Sequence, residues 1–146
     1  MSGKPLHVKF ILPALTEALK HQDPDIRAAA ASVLESMGES AVEALPALME
    51  TMTEDDNSVR TAAWGAFTSL APEAPQILLQ AMEHEHPYVR RTAVAKMGHV
   101  VLRQVEASFL QRAKPLLIDA LGDESHPVRH YACQALGNIG PRAVEA

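Results

Sequence analysis

Only one cysteine occurs in the 146 residues, Cys133, so an internal disulfide is excluded and the chain suits a reducing compartment. No run of residues is long and apolar enough to span a membrane. The N-terminal MSGKPLHVKFILPALTEALK lacks the uninterrupted apolar core and the small-residue cleavage site of a signal peptide. A cytoplasmic protein is expected. Positive charge is not in excess either. The formal net charge is -5, which gives a nucleic-acid function no support. The charge is unevenly spread: residues 1–73 hold 5 Lys and Arg against 11 Asp and Glu, whereas residues 74–146 hold 8 against 7.

What the chain does have is repetition. Arg27, Arg60, Arg90 and Arg129 each follow a β-branched apolar residue, namely Ile26, Val59, Val89 and Val128. Three residues on stands an alanine (Ala30, Ala63, Ala93, Ala132), seven on a large apolar residue (Leu34, Phe67, Met97, Leu136), and ten on another (Met37, Leu70, Val100, Ile139). Agreement at this many positions in one register marks a tandem repeat, with anchor spacings of 33, 30 and 39 residues.

Each repeat reads as two helices. Apolar residues recur twelve and eight before each anchor: Leu15 and Leu19, Leu48 and Met52, Leu78 and Met82, Leu117 and Leu121. The spacing predicts first helices over 10–20, 44–52, 76–82 and around 116–121, and second helices over 26–37, 59–70, 88–101 and 128–139. Pro13 fits the first turn of its helix, Asp23 suits an N-cap, and Gly38 suits a helix end. Short helices with one apolar stripe are marginal alone but close into a continuous core when paired and stacked. The alanines allow close approach. The longest spacing carries extra residues, HVVLRQVEASFLQRAK, with no glycine or proline between Gly98 and Pro115. This segment is expected to prolong the second helix and to start the next first helix early, with Ser108 and Gln111 as a capping box and Pro115 as a kink. The repeats run over 9–39, 40–72, 73–101 and 108–140 within a single domain, 1–146. Residues 141–146 restart the pattern, as the onset of a truncated or vestigial further repeat.

The prolines at 13, 46 and 115, the Asp- and Asn-rich turns, the Val-Arg pairs, the alanine three on and Leu-Gly-Asn-Ile-Gly at 136–140 together resemble the HEAT repeat, closest to the short HEAT-like type of the phycobilin lyases. The resemblance covers nearly the whole chain. It implies an all-α fold, a right-handed α-α superhelix (solenoid) of about four helix pairs, with second helices lining a concave face, and with that face or the turn edge gripping another protein. Such repeats serve many unrelated tasks, so the fold alone does not name the partner.

The arginine column, Arg27, Arg60, Arg90 and Arg129, is read as a structural ladder that ties each turn to the neighbouring repeat, a task that suits a bidentate guanidinium. The outer columns of the second helices differ along the chain. In the N-terminal half they are small: Ala28, Ala29, Ser32, Ser36, Thr61, Gly65 and Ser69. In the C-terminal half they carry Arg91, His99, His130, Tyr131, Gln134 and Asn138, and Tyr and Arg are frequent interface anchors. These six are the candidate partner-binding residues, against the plainer reading of a solvated helix face. His84, His86 and His126, with Glu85, are the only metal candidates, and a polar turn explains them as well. A HEAT-like iron enzyme family, the deoxyhypusine hydroxylases, uses repeated His-Glu pairs. The matching dipeptides here are Ala28-Ala29, Thr61-Ala62, Arg91-Thr92 and His130-Tyr131, so that activity is not carried over. Cys133 is expected on the packed side of its helix as a buried structural thiol. Trp64, at the equivalent position, is expected either in inter-repeat packing or, given its size, partly exposed as a contact. Arg91, Arg103, Arg112 and Lys114 form a modest basic cluster, diluted by Glu106 and Asp119.

The expectation is a protein-binding scaffold or adaptor without catalysis and without a cofactor, with self-association through uncapped repeat ends. The alternatives are a lyase-type or metal-dependent HEAT-like enzyme module and, behind it, a nucleic-acid binder.

Overall fold

The structure, a computed structural model, describes residues 6–103 and 105–140. The restart of the repeat pattern at 141–146 lies outside the described residues. Eight α-helices and no strand occur among the described residues, and the chain divides into two compact units between Ala74 and Pro75.

The first unit holds α1 (Leu6–Ala18), α2 (Pro24–Ser36), α3 (Leu45–Thr51) and α4 (Asn57–Leu70), with a 3₁₀ segment at Gly38–Ala44 leading into α3. The second holds α5 (Gln76–Met82), α6 (Pro87–Val100), α7 (Ala107–Ala120) and α8 (His126–Ile139). In each unit the first helix of a pair packs on its second helix, and the broadest contact joins the two second helices, α2 with α4 and α6 with α8. This is the stacking of helix pairs found in α-solenoids.

The periodic columns are the core. The alanines three past each anchor are all buried, and Leu34, Phe67 and Met97 have no solvent access. Leu48, Met52, Leu78 and Leu117 of the first helices are buried as well. Several members of the columns are not: Leu15, Met37 and Leu136 are half-buried, and Ile26 and Leu121 are exposed. All five belong to the first or last helix pair.

The helix starts follow from the turn chemistry. An Asp23 carboxylate oxygen accepts the Asp25 N–H at 2.9 Å, and Asp56 accepts the N–H groups of Ser58 and Val59 at 2.9 and 3.0 Å. These bonds satisfy amides that a helix N-terminus leaves without a carbonyl partner. Pro24 and Pro87 sit at the first helical position, where the missing N–H costs nothing. Gly38, just past α2, has φ of +56°, a conformation that disfavours a Cβ. Asp56→Ala is therefore expected to lower stability by about 1 kcal/mol, with Asp56→Asn close to the parent, as read from urea denaturation.

Three expectations are corrected. Helix α1 starts at Leu6, so Pro13 lies inside the helix rather than in its first turn. The second helix before the insertion is not prolonged: α6 ends at Val100 and has 14 residues, as do α4 and α8. Val100 and Val101 are both buried, and β-branched side chains resist helix extension. The chain tightens there through i→i−3 bonds from Leu102 to His99 and from Arg103 to Val100. The extra residues instead form a turn and lengthen α7 to 14 residues, against 7 for α3 and α5. The early start of that first helix thus holds, and Pro115 lies within it. Ser108 is not its cap. The N-cap is Glu106, and Ser108 lies in the first turn, donating to the Glu106 carboxylate at 3.3 Å. Starting at Ala107 brings Phe109 and Leu110 into the helix, where both are buried.

Candidate functional site

The four anchor arginines perform one operation. In each, Nη1 donates to the carbonyls six and five residues upstream: His21 and Gln22 for Arg27, Glu54 and Asp55 for Arg60, His84 and Glu85 for Arg90, Asp123 and Glu124 for Arg129. Each guanidinium thereby closes its own turn. In the leading pair of each unit, Nε also reaches the next turn. Arg27 meets Glu54 at 2.8 Å and Arg90 meets Asp123 at 2.7 Å. A second bond, Arg90 Nη2 to the other Asp123 oxygen at 3.1 Å, makes the latter pair bidentate. Arg90 holds the Asp123 carboxyl below the ordinary aspartate range, against a desolvation that pushes it up, and Asp123 raises the Arg90 guanidinium in return. Arg27 and Arg90 thus join two turns, while the bonds of Arg60 and Arg129 close their own.

The histidine turns are architectural too. His84 Nδ1 accepts the His86 N–H at 3.0 Å, and His86 Nδ1 accepts the Tyr88 N–H at 3.3 Å as the N-cap of α6. Both rings are thus tied to the backbone of their own turn. His126 begins α8 instead and lines a surface depression with Arg91, His130 and Tyr131. Among the described residues no group of three or more His, Cys, Asp or Glu is placed to hold a metal ion. His86→Ala is expected to cost about 1 kcal/mol, and His86→Asp to restore it, since a short carboxylate accepts the same amide. Thermal melts of the two variants check this.

The outer columns of α6 and α8 come together on one face of the second unit. Arg91, His130 and Tyr131, with His126 and Pro127, line a depression of about 320 Å³. His99, Tyr131, Gln134 and Asn138, with Ala95 and Gly98, line a narrower one of about 60 Å³. Tyr131 is common to both, so all six candidate residues lie along one surface joined by its ring. The His130 and Tyr131 rings meet edge-on at 5.4 Å, and the Arg91 guanidinium lies 4.7 Å from the centre of the Tyr88 ring. Asn138 donates to the Gly98 carbonyl at 2.8 Å and ties α8 to α6.

On the corresponding surface of the first unit the three serines are hydrogen-bonded within the fold. Ser32 donates to the Ala28 carbonyl, Ser36 to the Ser32 carbonyl and Ser69 to the Glu35 carboxylate. On the α6–α8 face the side chains of Arg91, His130, Tyr131 and Gln134 make no hydrogen bond to a protein group among the described residues.

Cys133 is exposed, not buried, and so is Trp64 at the equivalent position. The position four past the anchor is buried in the leading second helix of each unit, as Ala31 in α2 and Val94 in α6, and exposed in the trailing one. Helical spacing assigns a side to that position but not the neighbour that covers it. The basic cluster is spread over α6, the following turn and α7, and Arg112 donates to Gln76 at 2.7 Å. An open groove of about 690 Å³ on the first unit was not marked by the periodicity. It is lined by Val8, Leu12, Pro13 and Thr16 of α1, with Lys9, Glu17 and Glu43.

Comparison with known proteins matches this arrangement. The family model for HEAT repeats fits residues 7–67 and 72–146. The chain belongs to the HEAT-repeat family. Two engineered proteins solved by the Northeast Structural Genomics Consortium are similar to this HEAT-repeat chain. One has a TM-score of 0.53 and 21% identity, over 99% of this chain and 73% of that one. The other has a TM-score of 0.52 and 17% identity, over 88% of this chain and 62% of that one. This chain therefore spans less than two thirds of the length of the second, and at these identities the likeness concerns the fold alone. No curated protein matches the HEAT-repeat sequence. No helix among the described residues is long and apolar enough to cross a membrane.

Proposed function

We propose that the chain is a protein-binding scaffold without chemistry of its own and that its contact surface is the α6–α8 face. The observation that carries this reading is the contrast in hydrogen bonding. Ser32, Ser36 and Ser69 of the first unit spend their hydroxyls on bonds within the fold, whereas Arg91, His130, Tyr131 and Gln134 present donors and acceptors that no protein group among the described residues uses. Polar groups that already lie at the surface and are not paired within the fold lose little on meeting a partner and gain direction from it. The aromatic body of Tyr131 supplies apolar area between them.

The test is affinity capture with the parent chain as one bait and Arg91→Ala/Tyr131→Ala as the other, with metal content measured in the same preparations. A specific protein held by the parent and lost from the double variant is the expected result. Equal retention by both baits moves the contact surface elsewhere. No retained protein, together with stoichiometric metal, overturns the scaffold reading and returns attention to His84, His86 and His126.

A further inference from the structure

We infer that the α6–α8 face receives a short extended segment carrying carboxylate side chains, an acidic peptide of about five residues. This rests on the reading of that face as the contact surface. No Asp or Glu lines either depression. The larger one presents one guanidinium and two imidazoles, from Arg91, His126 and His130. Among the described residues, Arg27, Arg60, Arg90, Arg112 and Arg129 are hydrogen-bonded within the fold, whereas the side chains of Arg91 and of Arg103, which lies in the turn after α6 and lines neither depression, are not. The guanidinium of Arg91 lies by the Tyr88 ring instead, a contact that consumes none of its N–H donors. His126 and Pro127 also form the first turn of α8, whose N-cap residue Ser125 makes no side-chain capping bond. The positive end of that 14-residue helix therefore adds to the charge at the same depression.

The dimensions favour a peptide. From Pro127 to Asn138 along α8 is about 17 Å at the helical rise, the length of about five extended residues. The narrower depression, about 60 Å³ and bordered by Ala95 and Gly98, admits a small side chain and no base. The free amide of Gln134 offers a donor and an acceptor to main chain passing between the two. A single-stranded nucleic acid would want a cationic track with several stacking rings. No lysine lines the face, and Tyr131 is already edge-on to His130.

The experiment is selection from a displayed library of random short peptides on three immobilised full-length baits: the parent, Gln134→Glu and Arg91→Ala/Tyr131→Ala. Circular dichroism confirms that each bait is folded. Peptides kept by the parent and lost from the double variant are expected to be rich in Asp and Glu, and Gln134→Glu, a charge placed at an exposed position, is expected to deplete them. A synthetic copy of an enriched peptide should bind at least tenfold more weakly to Arg91→Gln. Face-dependent peptides without acidic enrichment overturn the inference and leave the contact surface standing. Identical peptides from the parent and the double variant, or no enrichment, overturn both. Displacement of the acidic peptide by a short oligouridylate at equal concentration overturns the inference in favour of nucleic acid.

Discussion

Phe67→Ala is expected to lower the stability of the first unit by about 3–5 kcal/mol, the range for removing a buried aromatic ring. Phe67 is the largest of the side chains with essentially no solvent access. Its neighbours on α4, Ala63 and Ala66, are fully buried and too small to expand into the space it leaves. The cost therefore holds both the lost transfer from water and the cavity that remains. Phe67→Leu keeps much of the volume and is expected to cost well under half as much. Trp64, the only tryptophan and three residues away on α4, reports the transition by fluorescence during urea denaturation. A loss below about 1 kcal/mol for the alanine variant would show that the pairs collapse around the gap and that the core is softer than its packing implies.

Arg90→Ala is expected to cost about 2–4 kcal/mol, acting on the second unit. The side chains of Arg90 and Asp123 are 13% and 11% exposed, and truncating one partner strands the other's charge in a poorly solvated place. The same change frees the carbonyls of His84 and Glu85. Arg90→Lys keeps the charge but not the fork, so it should recover only part of the loss. The pH dependence has a definite sign. The folded-state pKa of Asp123 is lowered. Its contribution is complete above the unfolded aspartate value of about 3.9, and is lost as pH falls through the lower folded value. The stability gap between the parent and Arg90→Ala should therefore be constant at neutral pH and narrow in acid below about pH 4. Equilibrium unfolding measured from neutral to strongly acidic pH checks this. A gap unchanged throughout would assign the loss to the carbonyl bonds alone.

Much of this architecture was legible in the sequence because the repeat supplies its own control. Ala30, Ala63, Ala93 and Ala132 could be read as core from their spacing. The recurrence of the arginines marked a shared position, but the bond common to all four closes each one's own turn, and only Arg27 and Arg90 reach the neighbouring repeat in the way expected of the whole column. The reading failed where burial depends on a neighbour rather than on a face. Cys133 and Ala31 occupy the same helical position, yet one is exposed and the other has no solvent access. The extra residues before α7 misled for a similar reason. Absence of glycine and proline permits a longer helix but does not require one, and the burial of Val101 turns the chain instead. The polar columns of α6 and α8 were identifiable residue by residue. That His126 joins Arg91 and His130, rather than the other histidine turn, depends on how α8 begins beside α6.

The residue six before each anchor is His21, Glu54, His84 and Asp123 in chain order. The imidazoles fall in the leading turn of each compact unit and accept an N–H within that turn, from Asp23 and His86. The carboxylates fall in the trailing turn and accept the neighbour's guanidinium. The smallest interchangeable module is therefore two repeats, not one. A chimera that moves a leading turn into a trailing place sets an imidazole where the adjoining arginine calls for an anion. Recombination at the boundary between Ala74 and Pro75 keeps Arg27 with Glu54 and Arg90 with Asp123, and a cut between α2 and α3 separates Arg27 from Glu54.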